Sequence, residues 1–141
     1  MDRHVTGGLQ AIEQGGVTLN LNIVIGLLSA FFLFASSIKI FGWQKKVFEI
    51  QLEMFESYGL NRQIMFLVGC AELFGSIAIW FQSSWIGPFG ALALLGTSIG
   101  AIFCHLVFDT WKQGIPAMVT GTLSAIVLST GYAKLLDVPP V

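Results

Sequence analysis

The sequence predicts an all-α membrane protein, an antiparallel bundle of four transmembrane helices with an amphipathic interfacial segment between the first and second spans. Three observations carry that expectation. The 141 residues are 55% hydrophobic and 11% charged, where soluble domains carry about 25% charged residues. Mean hydropathy is +0.78. The apolar residues gather in runs at about 20–41, 64–81, 86–108 and 115–136, each close to the ~20 residues a helix needs to cross a hydrocarbon core. Chain length accommodates four such spans and not six. Backbone groups in lipid must be satisfied within their own segment, so each run is expected to be helical; a barrel would need alternating polarity, which these runs lack. A net charge of −1 leaves no electrostatic footprint for nucleic acid.

The elements follow in order. Residues 1–19 hold Asp2, Arg3, His4 and Glu13 among glycines, with neither an apolar signal-peptide core nor a small-residue cleavage site. They are expected to be a polar N-terminal tail, ahead of a first span that stays in the membrane. Residues 20–136 form a single transmembrane domain. Its one long connection, 42–63, alternates charge with apolar side chains at helical spacing. Glu49, Glu53 and Glu56 share one face, and Val47, Ile50, Met54 and Tyr58 share another, so the segment should lie on the bundle end or in the interface. It reads either as a surface connector or as a docking site for a partner. Gly59 can end that helix and Asn61 can cap the next. Only Gln82, Ser83, Ser84 and Trp85 join the second and third spans, which makes an antiparallel hairpin. Trp43, Trp80, Trp85 and Trp111 all fall at span ends, where interfacial tryptophan belongs. Residues 137–141 are a short C-terminal tail.

Lipid is as apolar as the helices, so small residues must let the backbones approach. Gly26 and Ala30, Ala71 and Gly75, Gly96 and Gly100, and Gly121 and Ala125 supply small-xxx-small spacing in every span, with packing inside the chain as the expected use and a homo-oligomer as the other.

Ionisable residues inside a span cost about 2.5 to 3.5 kcal/mol each at a helix centre, so they mark candidate sites. Glu72 lies ~13 Å into the second span at 1.5 Å per residue. Lys39 sits at the same end of the first span, and side chains lean toward the N-terminus of their helix, so Lys39 leans inward and Glu72 toward the loop. His105 reaches the same side from the end of the third span, with Asp109 following at i+4. The expectation is a buried polar cluster of Lys39, Glu72 and His105 with Asp109 at its mouth. It either locks the bundle as a neutral network or handles a proton or ligand.

The segments FLFASSIKIFG, FESYGLNRQIMFLVGCAELFGSIAI and AIFCHLVFD resemble the DoxX and DoxX-like family of small four-span membrane proteins. The marks are a Lys closing the first span, a YG ahead of the second, a Glu followed by a Gly within it, and a His near the end of the third. Here they are Lys39, Tyr58 with Gly59, Glu72 with Gly75, and His105. Ser36 stands where the family pattern has Gly. The resemblance implies a non-catalytic accessory subunit of a quinone-linked redox complex, after the small membrane subunit of an archaeal thiosulfate:quinone oxidoreductase. It also implies, as an alternative, an assembly factor like the animal relative that assists nicotinic acetylcholine receptors. The resemblance implies no certain cofactor, with quinone the candidate, and a membrane or peripheral redox protein as the candidate partner; a bacterial cytoplasmic membrane is the expected location.

Cys70 and Cys104 form no CxxC, so paired-thiol redox chemistry lacks its motif. His105 alone cannot supply bis-His haem ligation, and Glu72, His105 and Asp109 have no metal-motif spacing. Quinone needs only an aromatic-lined crevice with one or two polar groups, and Phe31, Phe32, Phe34, Phe74 and Phe103 are available. A small transporter with a buried Glu-Lys-His site is a third reading, although a Lys partner would neutralise Glu72 as a cation trap. Lys45, Lys46, Arg62 and Lys112 against Arg3 and Lys134 favour the loops on the cytoplasmic side and both termini outside.

Overall fold

The computed structural model describes the backbone of residues 3–136 and the side chains of residues 20–133, 135 and 136. The described residues form helices and turns and no strand. The helices are α1 (Arg3–Phe41), α2 (Lys45–Ser57), α3 (Arg62–Ala78), α4 (Ile86–Phe108), α5 (Ile115–Gly131) and the single turn α6 (Ala133–Leu136). Helix α1 begins inside the stretch expected to be a polar tail and runs unbroken for 39 residues. The C-terminal tail expected at 137–141 lies outside the described residues.

Helix α1 packs on α3, α3 on α4 and α4 on α5, and a smaller α1–α5 contact closes the ring. Short connections make α3 and α4, and α4 and α5, antiparallel pairs, while α1 reaches α3 through the longer connection that holds α2. Helix α3 ends at Ala78 rather than 81, where tight-turn bonds replace helical ones: Trp80 N–H donates to the Ile77 carbonyl at 3.3 Å and Phe81 N–H to that of Ala78 at 2.9 Å. Helix α5 likewise stops at Gly131, short of 136, with α6 continuing after a break.

Small residues set the close approaches. A Cβ on Gly75 would lie 2.6 Å from Leu94 Cδ2 and 3.0 Å from the Gly90 carbonyl oxygen. A Cβ on Gly90 would meet the Ala78 methyl at 2.8 Å and the Ile79 backbone nitrogen at 2.9 Å. Helices α3 and α4 therefore touch backbone to backbone. Gly96 and Gly100 do otherwise: a Cβ on either would meet nothing within 4 Å. The packing role expected for that pair is absent, for a reason that lies in the cavity described below.

Ile25, Leu28, Phe32, Ile79, Ala91, Leu94 and Val127 form the buried apolar core, at the end of the bundle away from α2. Ile38, Met65 and Ala78 are buried outside that cluster, and the interior also takes polar side chains. Ser29, Ser36, Ser76, Ser98 and Ser124 are buried, and Ser29 ties two helices by donating to the Ser76 carbonyl at 2.8 Å while accepting from Trp80 Nε1 at 2.9 Å. The outside is apolar: Leu27, Leu67 and Phe103 are each at least 60% exposed. Soluble monomers seldom expose apolar surface on this scale. Two helical segments, Asn20–Phe41 and Ile86–Phe108, are long and apolar enough to cross a membrane, and Ile115–Gly131 is a shorter apolar helix. All four tryptophans stand at helix ends or in the adjoining turns.

Candidate functional site

The bundle is solid at one end and hollow at the other. A cavity of about 770 Å³ lies among α1, α3, α4 and α5 under α2. Helix α4 creates the space by presenting Ala93, Gly96, Gly100 and Ala101 to it, residues too small to reach across. Gly96, Gly100 and Phe31 are also exposed, so the cavity opens sideways through the bundle wall.

Helix α2 covers the hollow end. Gln51, Met54, Phe55 and Tyr58, at i, i+3, i+4 and i+7, face the cavity. Glu49, Glu53 and Glu56 are exposed, as their shared face implies, but Val47 and Ile50 are exposed too; the inward stripe is Gln51 and Phe55 with Met54 and Tyr58. Glycines in the left-handed region bracket the segment, Gly42 at φ +63° and Gly59 at φ +80°. At the second, Leu60 N–H donates to the Phe55 carbonyl at 2.9 Å and Gly59 N–H to that of Glu56 at 3.0 Å, a Schellman stop. Asn61 Oδ1 then accepts from Ile64 N–H at 2.9 Å and caps α3.

Two polar groups line the cavity. In the first, Lys39 Nζ stands 3.0 Å from Glu72 Oε2, with the side chains 10% and 7% exposed. Gly69, one turn ahead of Glu72, makes this possible: a Cβ there would fall 2.9 Å from Lys39 Cβ and 3.0 Å from Ile40 Cγ1. Sequence reasoning passed over Gly69, whose signal was its i−3 offset from the buried acid. Lys39 bonds Oε2 of Glu72.

In the second group, Tyr58 brings α2 to the end of α4. Its hydroxyl donates to Asp109 Oδ2 at 2.6 Å and lies 3.0 Å from His105 Nδ1. His105 Nδ1 is 3.0 Å from both Asp109 oxygens. With the Tyr58 proton directed at Asp109, Nδ1 has only acceptors around it and carries a ring proton. Thr110 N–H holds Asp109 Oδ1 at 2.6 Å. The Tyr58 hydrogen bond, followed by His105 and Thr110, pulls the Asp109 carboxyl below its usual range. Burial, reinforced by the Asp109 carboxylate, pushes the Tyr58 phenol well above its ordinary value. Tyr58 also stacks on Phe108 at 5.5 Å between centroids.

The expected single cluster is thus two groups. Lys39 pairs with Glu72, His105 with Asp109 and Tyr58, and no hydrogen bond joins the two; the cavity is what they share. Tyr58 had been assigned to an apolar face, and only its place before Gly59 distinguished it in sequence. Gly75 serves helix packing and Gly59 the turn. Cys104 lines the cavity and Cys70 does not; both thiols are free. Among the described residues, no three of His, Cys, Asp and Glu converge as a metal site.

A family model described as the DoxX-like family matches residues 23–127, a stretch that contains Lys39, Tyr58, Glu72, His105 and Asp109. No curated protein and no solved structure matches the chain.

Proposed function

The chain belongs to the DoxX-like family, and from that premise we propose that it is a four-span membrane protein whose hollow end holds a small amphiphilic ligand of the quinone class, as a non-catalytic accessory subunit of a quinone-linked redox complex in the bacterial cytoplasmic membrane. Family membership and the two long apolar helices point to a membrane protein. Four spans follow if α3 and α5 cross as well. Each has 17 residues, about 25 Å of helix, and the apolar turn 79–81 lengthens α3 toward the ~30 Å of a bilayer core. The apolar exterior of the fold, with many leucines and phenylalanines exposed, fits a lipid surround.

The observation that carries the ligand reading is the cavity. Its size falls within the ~300–1,000 Å³ of small-molecule sites, which are apolar with a few convergent polar groups. Phe31, Phe32 and Phe55 offer flat apolar walls, and Lys39, Glu72 and His105 offer polar anchors. The sideways opening lets an apolar tail pass into lipid. Pairing of Lys39 with Glu72 leaves no net charge to attract an organic cation, so transport of such cations is not favoured.

The test is purification of the tagged protein from native membranes in mild detergent, for wild type and Glu72→Gln side by side, with co-purifying proteins and small molecules identified by mass spectrometry. Recovery of quinone and a redox partner with wild type, and loss of the quinone in the variant, is the expected result. Folded protein that emerges alone in both cases refutes the accessory-subunit reading, and recovery of a nascent non-redox client favours the assembly-factor alternative.

A further inference from the structure

Helix α2 roofs the cavity but is lightly secured to the bundle. No residue from Lys45 to Ser57 is buried as a whole. At its first turn the Arg62 guanidinium lies over the Phe48 ring, 4.8 Å from the centroid, while donating to the Ile40 carbonyl at 2.9 Å. At its other end Tyr58 donates to Asp109 Oδ2 at 2.6 Å and lies 3.0 Å from His105 Nδ1. Among the described residues, these bonds of Tyr58 are the side-chain hydrogen bonds that tie segment 45–58 to the rest of the chain. Closure also leaves Gln51 Oε1 buried without a hydrogen-bond partner, which is unfavourable because the acceptor has given up water and gained nothing in return. Gln51 and Tyr58 lie seven residues apart on one helical stripe, and both line the cavity. Glycines with positive φ stand at both ends of α2, Gly42 at +63° and Gly59 at +80°, and such positions absorb large dihedral changes at little cost.

We propose that α2 is a hinged lid over the water-facing end of the cavity, held shut by the Tyr58 hydroxyl on Asp109. The cavity then has two entrances, one sideways through the bundle wall and one beneath α2, whatever ligand it takes. The exposed face with Glu49, Glu53 and Glu56 keeps α2 at the aqueous boundary, so lifting the lid admits water and water-borne molecules. A movement that takes Tyr58 off Asp109 also turns Gln51 toward water, and the unpaired acceptor regains a partner. The open form is thereby favoured at one residue and opposed at the other, which sets the two against each other as latch and release.

Cys104 lines the cavity and Cys70 does not, so the chain carries its own probe. The experiment places the full chain with Cys70→Ser in lipid nanodiscs and measures the rate at which Cys104 is modified by two reagents. A charged methanethiosulfonate stays in water, and a lipid-soluble maleimide enters from the bilayer. Tyr58→Phe removes the latch hydroxyl and keeps the ring that stacks on Phe108. It is expected to raise the rate with the charged reagent about tenfold, the worth of one hydrogen bond to a charged group, because modification through an opening follows the open population. Adding Gln51→Leu, which puts an apolar side chain in place of the unpaired acceptor, is expected to bring that rate down again about fivefold. The maleimide should react equally fast with all three proteins. Equal rates for the charged reagent with and without Tyr58→Phe overturn the lid, since water then either never reaches Cys104 or reaches it already, beside Gln113. A rise shared equally by both reagents overturns it too, because the bundle or the thiol itself has then changed. A raised rate that Gln51→Leu leaves unaltered puts the entrance somewhere other than beneath α2 and also overturns it.

Discussion

At the level of single residues, the Lys39–Glu72 pair is the most consequential arrangement, because two charges buried this deeply are tolerated only together. Removing one partner from a buried pair costs about 3–5 kcal/mol, whereas replacing both by apolar groups is often neutral. Lys39→Met is therefore expected to destabilise the bundle by about 3 kcal/mol and the double change Lys39→Met with Glu72→Leu to recover most of it, read as thermal melting in detergent. Equal damage by single and double changes would mean that the two side chains do not share one interaction. Tyr58 and Asp109 give a pH dependence whose sign follows from their shifts. The raised phenol of Tyr58 stabilises the fold fully below about pH 10, its unfolded value, and loses that contribution as pH rises through the folded one. The lowered carboxyl of Asp109 contributes fully above about pH 4 and loses it as pH falls. Ultraviolet titration of a Tyr132→Phe variant, which isolates Tyr58, should show no tyrosinate at pH 10.5, half a unit past the ordinary midpoint. Lys39, Glu72, His105 and Asp109 were legible in sequence because charge inside an apolar run is conspicuous. Tyr58 was legible as a family mark but not as a partner of Asp109, since an aromatic on an amphipathic helix looks the same whether it meets lipid or an aspartate.

At the level of the elements, glycines divide into those that bring helices together and those that hold space open, and sequence spacing does not tell them apart. Gly90→Ala puts a methyl group 2.9 Å from the Ile79 backbone nitrogen, so the α3–α4 contact must spread, at a cost of ~1–3 kcal/mol. Gly96→Ala meets nothing and should be neutral or stabilising by about 0.5–1 kcal/mol through helix propensity alone. The two melting temperatures should move in opposite directions. The small-xxx-small pattern of Gly96 and Gly100 was legible as a feature, but its use was not, because the distance to the facing helix is a tertiary quantity. The end of α2 and the start of α3 were readable from Gly59 and Asn61, whose local bonds need no distant partner. Gly59→Ala would force the left-handed conformation at φ +80° onto a residue with a side chain, costing about 1–2 kcal/mol; hydrogen exchange confined to the last turn of α2 would report it.

For the whole molecule, composition alone identified an apolar helical chain, and the four runs fall on α1, α3, α4 and α5, of which α1 and α4 hold segments long and apolar enough to cross a membrane. That the bundle would be packed at one end and hollow at the other could not be read from those runs. The hollow arises where Ala93, Gly96, Gly100 and Ala101 of α4 face α1 and α5 beneath α2, and residues of all five helices line it. The central claim is that this space, rather than the buried charges alone, is what the protein uses. Gly96→Leu with Gly100→Leu is designed to fill it from positions where an added Cβ meets nothing within 4 Å, without substituting Lys39, Glu72, His105 or Asp109. The deciding measurement is native mass spectrometry of the full chain released from its own membranes, wild type beside this double variant, with melting temperatures taken in parallel. The variant is predicted to melt no lower than wild type and to emerge without the small molecule that wild type carries; a variant that retains the same ligand at the same stoichiometry would contradict the claim.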